Sequence, residues 1–159
     1  MKINIKRVLF LVTSCCLTSA SLPLLAHSEI AQVMTDQAPK AIGPYSQAVH
    51  AGPYLFISGQ IAIDPALGKL AGETIEEQTR QVLKNIEGIL AAEGLTLENV
   101  VKTDVYLKDL KDFQAMNGIY AEKFSHPVKP ARATVQISKL PLDALVEICC
   151  IAFLPDRAE

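Results

Sequence analysis

The sequence contains no tryptophan, and only three histidines and four cysteines among 159 residues. The histidines, His27, His50 and His126, are isolated and show no ligand spacing, so no metal site is expected. No CxxC pair occurs, and there is no glycine-rich dinucleotide fingerprint or phosphate loop. Positive charge is also scarce, with 15 Lys and Arg against 17 Asp and Glu for a net charge of −2. Phosphate contacts need clustered Lys and Arg, and no basic stripe with interleaved aromatics is present, so a nucleic-acid partner is not expected. Repeats, low-complexity tracts and linkers are missing too. A chain of this length then reads as one domain.

Charge is absent altogether from Val8 to Ala26. Lys2, Lys6 and Arg7 precede this run, Leu9 to Val12 form its apolar centre, and Pro23 stands before a small-residue end. That is the layout of a secretory signal peptide. Ala26 and Ser28 fit the −3 and −1 positions of a cleavage site, which gives a signal over residues 1–28 and a domain over 29–159. A periplasmic or secreted protein is the expectation. Two other readings stay open. The run is barely long enough to span a bilayer as an uncleaved anchor. Val12-Thr13-Ser14-Cys15 resembles a lipoprotein box, with Cys15 carrying lipid. Three of the fifteen basic residues and no acidic one precede Glu29, so the mature chain would hold twelve against seventeen, a net −5.

Beyond the leader, Ala31 to Ala41 reads as irregular. Gln47–His50 and Tyr54–Ser58 are short strands about the turn Ala51-Gly52-Pro53, and Asp64–Gly68 is a loop. Thr74 and Glu77 form a capping box. Ile75, Val82, Leu83, Ile86, Ile89 and Leu90 then recur at helical spacing up to a stop at Gly94. Asn99–Leu107 alternates as a strand. Asp109 or Asp112 opens a second helix with Phe113, Met116, Tyr120 and Phe124 on one face, closed by His126-Pro127 and Lys129-Pro130. Arg132–Ser138 and Ala144–Leu154 are the last strands, with Leu140–Asp143 turning between them. The fold class is α+β, a mixed sheet with two helices on one face. The last strand is apolar on both sides, so the second face is expected to close against other subunits. Cys149 and Cys150 sit in that strand with side chains on opposite faces, and they read as small buried hydrophobes.

Two residues stand out chemically. Arg132 opens a strand whose one side is polar (Thr134, Gln136, Ser138) and whose other side is apolar (Ala133, Val135, Ile137). Glu147 is the only charge between Ala144 and Leu154. A carboxylate in such a run is costly unless paired or protonated, and such positions are enriched in function. A structural ion pair between Arg132 and Glu147 is the competing reading. With a tight turn, Glu147 falls opposite Gln136 and shares a face with Arg132, about four residues or 13 Å away. Otherwise the two meet across a subunit boundary. Ser58-Gly59-Gln60, taken alone, reads as a strand end.

Four motifs in order resemble the RidA (YjgF) family. They are Ala41-Ile42-Gly43-Pro44-Tyr45-Ser46-Gln47-Ala48; Ile57-Ser58-Gly59-Gln60; Met116-Asn117-Gly118-Ile119-Tyr120; and Pro130 to Val135 followed by Leu140-Pro141 and Val146-Glu147-Ile148. The similarity runs from about Thr35 to Leu154. It implies a chorismate-mutase-like homotrimer with a barrel of sheets inside, helices outside and three clefts between subunits. It implies a cofactor-independent deaminase that hydrolyses 2-imino acids, such as 2-aminoacrylate, to 2-keto acids and ammonia. Arg132 would bind the substrate carboxylate, Glu147 would hold and polarise a water, and Tyr45 would line the pocket and assist proton movement. Ser58, Gly59 and Asn117 would shape the cleft. Thr134 stands where the family often has cysteine, which puts thiol-based regulation in doubt while leaving a hydroxyl to bind substrate. The leader is a second departure, since familiar relatives work in the cytosol. Competing functions are a non-catalytic binder of keto acids or similar small carboxylates, a chaperone-like holdase, and a ribonuclease.

Overall fold

The computed structural model describes residues 30–155. The leader, with its cleavage site and Cys15, lies outside the described residues. Ten elements follow one another: β1 (Ala31–Val33), β2 (Ala48–Ala51), β3 (Tyr54–Gln60), β4 (Ile63–Asp64), β5 (Lys69–Leu70), α1 (Ile75–Ala91), β6 (Val100–Leu107), α2 (Phe113–Lys123), β7 (Ala131–Gln136) and β8 (Val146–Phe153). β4 and β5 form a small separate hairpin around the expected loop. The other six strands make one sheet in the order β1-β2-β3-β8-β6-β7. Its pairings are antiparallel except β6–β7, which is parallel and connected through α2. The sheet is therefore mixed, and the protein is α+β.

The helix start reads out of the sequence directly. The Thr74 hydroxyl accepts from the Glu77 N–H at 3.3 Å, and the Glu77 carboxylate accepts from the N–H groups of Thr74 and Glu73 at 3.1 and 2.9 Å. Those donors hold the Glu77 carboxyl below its usual pKa. The far end stops at Gly94, whose φ of +69° is a left-handed value that favours glycine. Between them Val82, Leu83, Ile86, Ile89 and Leu90 are completely buried. Each such side chain contributes roughly 2 kcal/mol relative to exposure.

Both helices lie on one face of the sheet. That face carries Ala48, Leu55, Ile57, Val105, Leu107, Val146, Ile148, Cys150 and Ala152, all buried. The opposite face is open. β8 alternates strictly, with Glu147, Cys149, Ile151 and Phe153 only half-buried. Phe56 and Val135 on neighbouring strands are 43% and 45% exposed. Among the described residues Cys149 and Cys150 are free thiols, Cys150 in the core and Cys149 on the open face, where burial and then the nearby Asp104 carboxylate raise its pKa.

Two expectations need correcting. The segment 31–41 is not irregular throughout: Ala31–Val33 adds a strand at the sheet edge, pairing with Ala48–His50. Three residues are too few to leave a periodic signal. More consequentially, β7 and β8 do not form a hairpin. Leu142 and Asp143 both take positive φ, 53° and 59°, in the connection between them. The chain then crosses over, so that β6 lies between β7 and β8. Glu147 is paired with Tyr106, not Gln136, and Gln136 is paired with Leu107.

Candidate active site

Glu147 is the second residue of β8, on the open face. Across from it, β3 carries an extra residue: Ile57 pairs with Cys150 but Gln60 pairs with Ile148. This bulge at Ser58-Gly59 bends the strand and aims its backbone toward Glu147, as bulges beside functional sites do. Gly59 is required for space. A Cβ there would sit 1.9 Å from Glu147 Oε1 and 2.8 Å from its Cδ. The Ser58 hydroxyl donates to the Ser46 carbonyl at 2.7 Å, leaving its lone pairs free to accept. Tyr45 is half-exposed, and its hydroxyl accepts from the Ile42 N–H at 3.4 Å.

These residues line one cavity of about 390 Å³, with Tyr45, Ser58, Gly59, Gln60, Pro141 and Glu147 around it. Among the described residues no cation or hydrogen-bond donor pairs with the Glu147 carboxylate. Burial pushes its pKa above the usual 4.5. A carboxylate so placed is a stronger base than a solvated one, and it is free to hold a water. Gln47 is a support that sequence reasoning quoted only as part of a motif. Its buried amide donates to the carbonyls of Thr35, Ala38 and Pro39 and accepts from the Thr35 N–H, which fastens the loop walling the cavity. A glutamine at the start of a strand carries no signal of that role.

Arg132 belongs to a different place. It pairs with Thr103, which pairs in turn with Cys150, so its side chain is on the helix face. Its guanidinium carbon lies 4.5 Å from the centre of the Tyr120 ring and 5.8 Å from that of Phe113. Phe113, Asn117 and Tyr120 share one stripe of α2 by their spacing of four and three. Thr134 follows Arg132 on the same face, and its Oγ1 is buried without a hydrogen-bond partner among the described residues. Arg132 and Thr134 on the edge strand β7 make a second cluster, and Asn117 lies on the α2 stripe whose Phe113 and Tyr120 neighbour Arg132.

The two clusters do not meet within one chain. Arg132 and Glu147 point to opposite faces, two strands apart and three positions apart in register, about 10 Å along the strands. The expectation that they share a face fails because it rested on the hairpin that β6 interrupts. A structural ion pair within one chain fails with it. Tyr45, Ser58, Gly59 and Glu147 line one cavity, and Arg132 and Thr134 lie apart from it on the helix face of β7.

Residues 35–154 match the family described as Endoribonuclease L-PSP. The chain belongs to this family, the RidA/YjgF group. A RutC family protein of Pyrococcus horikoshii is 54% identical over 76% of this chain and 95% of its own length. Reactive Intermediate Deaminase A, chloroplastic, of Arabidopsis thaliana is 48% identical over 85% of this chain and 72% of its own. Among solved structures, E. coli TdcF with bound serine superposes with a TM-score of 0.74 at 37% identity, covering 77% of this chain and 98% of the other. The RidA-like motifs and the α+β fold read from the sequence therefore stand.

Proposed function

We propose that the protein hydrolyses reactive 2-imino acids to 2-keto acids and ammonia, in clefts formed between the copies of a homotrimer. The observation that carries this reading is the separation of Glu147 from Arg132. Glu147 with its bulge lies on the open face, and Arg132 with α2 lies at the free edge of β7. A neighbouring copy seated on the open face would bring one half against the other. The exposed Phe56 and Val135 and the half-buried Ile151 and Phe153 of that face favour such a cover.

In the joined cleft the Arg132 fork of one copy binds the substrate carboxylate through paired N–H donors. The Thr134 hydroxyl and the Asn117 amide add hydrogen bonds. Glu147 of the other copy takes a proton from a water as its oxygen attacks the imine carbon. The imine nitrogen gains a proton, giving a tetrahedral carbinolamine. Tyr45 assists the proton movement, the C–N bond breaks, and ammonia leaves with the keto acid. Fixing the carboxylate and the water supplies most of the acceleration, because imines of this kind already hydrolyse in water. No cofactor enters these steps. The substrates proposed are 2-iminobutanoate, 2-iminopropanoate and their enamine tautomers such as 2-aminoacrylate. The relatives support this reading by name, one being a reactive intermediate deaminase and another holding serine, a carboxylate of similar size. Export through the leader remains part of the proposal, with periplasmic amino-acid oxidation or racemisation as the imine source. Unchanged imine-adduct levels in periplasmic extracts of a deletion strain would remove that part.

The test generates 2-imino acids in situ with an amino-acid oxidase and traps them with semicarbazide. The purified protein is expected to lower adduct yield, and Arg132→Ala is expected not to. A folded wild-type protein that spares no adduct for any of several side chains sinks the hydrolase reading and leaves a carboxylate-binding protein.

A further inference from the structure

Arg132 stands on an edge strand and is exposed, yet a carboxylate clamp works only if its plane is fixed. A long arginine samples many rotamers, and a loose one loses much of its affinity to ordering. The structure contains a device that does the ordering. Tyr120 on α2 presents its ring to the Arg132 guanidinium, with 4.5 Å from the ring centre to the guanidinium carbon. The Phe124 ring stacks on Tyr120 at 4.3 Å and 26°. Phe113 stands at 5.8 Å from the same guanidinium carbon. The Tyr120 hydroxyl is locked by a 2.8 Å hydrogen bond with Thr103 Oγ1, in the buried interior. Thr103 is itself the register partner of Arg132 on the neighbouring strand. The platform is therefore tied to the strand that carries the arginine.

We propose that Tyr120 is a positioning residue for the hydrolysis: its ring face, packed against Phe124, holds the Arg132 guanidinium in the orientation that receives the substrate carboxylate. This rests on the assignment of Arg132 to the carboxylate in the reading above. Guanidinium planes stack well on aromatic faces. Stacking leaves the edge of the fork, with its N–H donors, directed away from the ring toward a ligand. Tyr120 touches no substrate; it acts through Arg132.

The test uses the full-length oligomer, with 2-oxobutanoate binding by calorimetry and the kinetic constants for oxidase-generated imines as readouts. Tyr120→Phe keeps the ring face and loses only the hydroxyl. It is expected to melt lower, because Thr103 loses its partner, and to hold KM and the 2-oxobutanoate Kd within about twofold. Tyr120→Met fills similar volume without a ring face. It is expected to raise both about tenfold with kcat changed less than about threefold. Trifluorophenylalanine at position 120 keeps the shape and weakens the ring's attraction for cations, so it tests the same point should Tyr120→Met not fold. It is expected to fall between the other two. If Tyr120→Met or the fluorinated ring binds 2-oxobutanoate as tightly as Tyr120→Phe does, Tyr120 is only a core residue and the proposal is overturned. Arg132→Ala separates the two levels: if it leaves binding and turnover intact, the assignment of Arg132 itself has failed.

Discussion

The two halves of the candidate site are built in opposite ways. Glu147 sits inside a sheet, on a central strand, with the β3 bulge and Gly59 fitted against its carboxylate. Nothing charged balances it among the described residues, and its burial raises its pKa. Arg132 sits at the sheet edge, exposed, and is held by rings rather than by an ion pair. The acid half is made by backbone geometry, the basic half by side-chain stacking. Among the described residues neither group has an ion-pair partner, and in the proposed trimer each would face a second copy. Opposite charges kept apart in one chain are free to act on something between them.

Removing either head group is expected to have the largest effect. Glu147→Gln should lower kcat on the order of a thousandfold, since a positioned base contributes between about a hundredfold and ten-thousandfold. Arg132→Ala should lower kcat/KM about a hundredfold, mostly through KM, as expected for a lost charge-assisted fork. Steady-state kinetics on both variants check the split between kcat and KM.

Gly59→Ala tests the backbone half alone. Its new Cβ would displace the Glu147 carboxylate by an ångström or more. A displacement of that size in a catalytic group costs about a hundredfold in kcat, and KM should stay near the wild-type value. A wild-type kcat in Gly59→Ala would show that the fit against Glu147 is not used.

The pH dependence sharpens the same contrast. Burial raises the Glu147 pKa above 4.5, so its ionised form is disfavoured by folding. Its contribution to stability is fully present below about pH 4.5, the unfolded value, and is lost as pH rises through the raised folded value. Glu147→Gln should accordingly be more stable than the wild type at neutral pH, and the difference should shrink as pH falls through the raised folded value and vanish below about pH 4.5. Turnover needs the ionised base, so kcat should fall as pH drops through the raised value. Melting curves and a kcat profile over the acid range report both, and a pH-independent stability difference would contradict the assignment.

The smallest expected effect is far from both halves. Thr74→Ala removes the cap of α1 and should cost about 1 kcal/mol of stability with kcat and KM unchanged, as denaturant unfolding and the imine assay would show.

Much of this was legible in the sequence, and the illegible part has a single cause. The α1 capping box, its apolar stripe and the Gly94 stop depend on residues within a few positions of one another, and they appear as expected. Glu147 stood out because one charge interrupts a local apolar run. The pairing of strands is not local. Leu140 to Asp143 looks like a hairpin turn, but nothing nearby shows that β6, some thirty residues upstream, pairs with both β7 and β8. That non-local pairing alone decides which face Arg132 takes. The roles of Gln47 and Tyr120 were hidden for a related reason. Each looks like an ordinary core residue until the loop or the strand it holds is seen.

The central claim is that one site needs two copies of the chain, and mixing two inactive variants tests it most directly. Glu147→Gln and Arg132→Ala, unfolded together in equal amounts and refolded, should form mixed oligomers. If the halves come from different copies, some clefts combine the intact Glu147 of one variant with the intact Arg132 of the other. Random assembly restores about a quarter of the wild-type rate. If activity stays at the level of the separate variants although mixed oligomers are present, the site lies within one chain and the account is wrong.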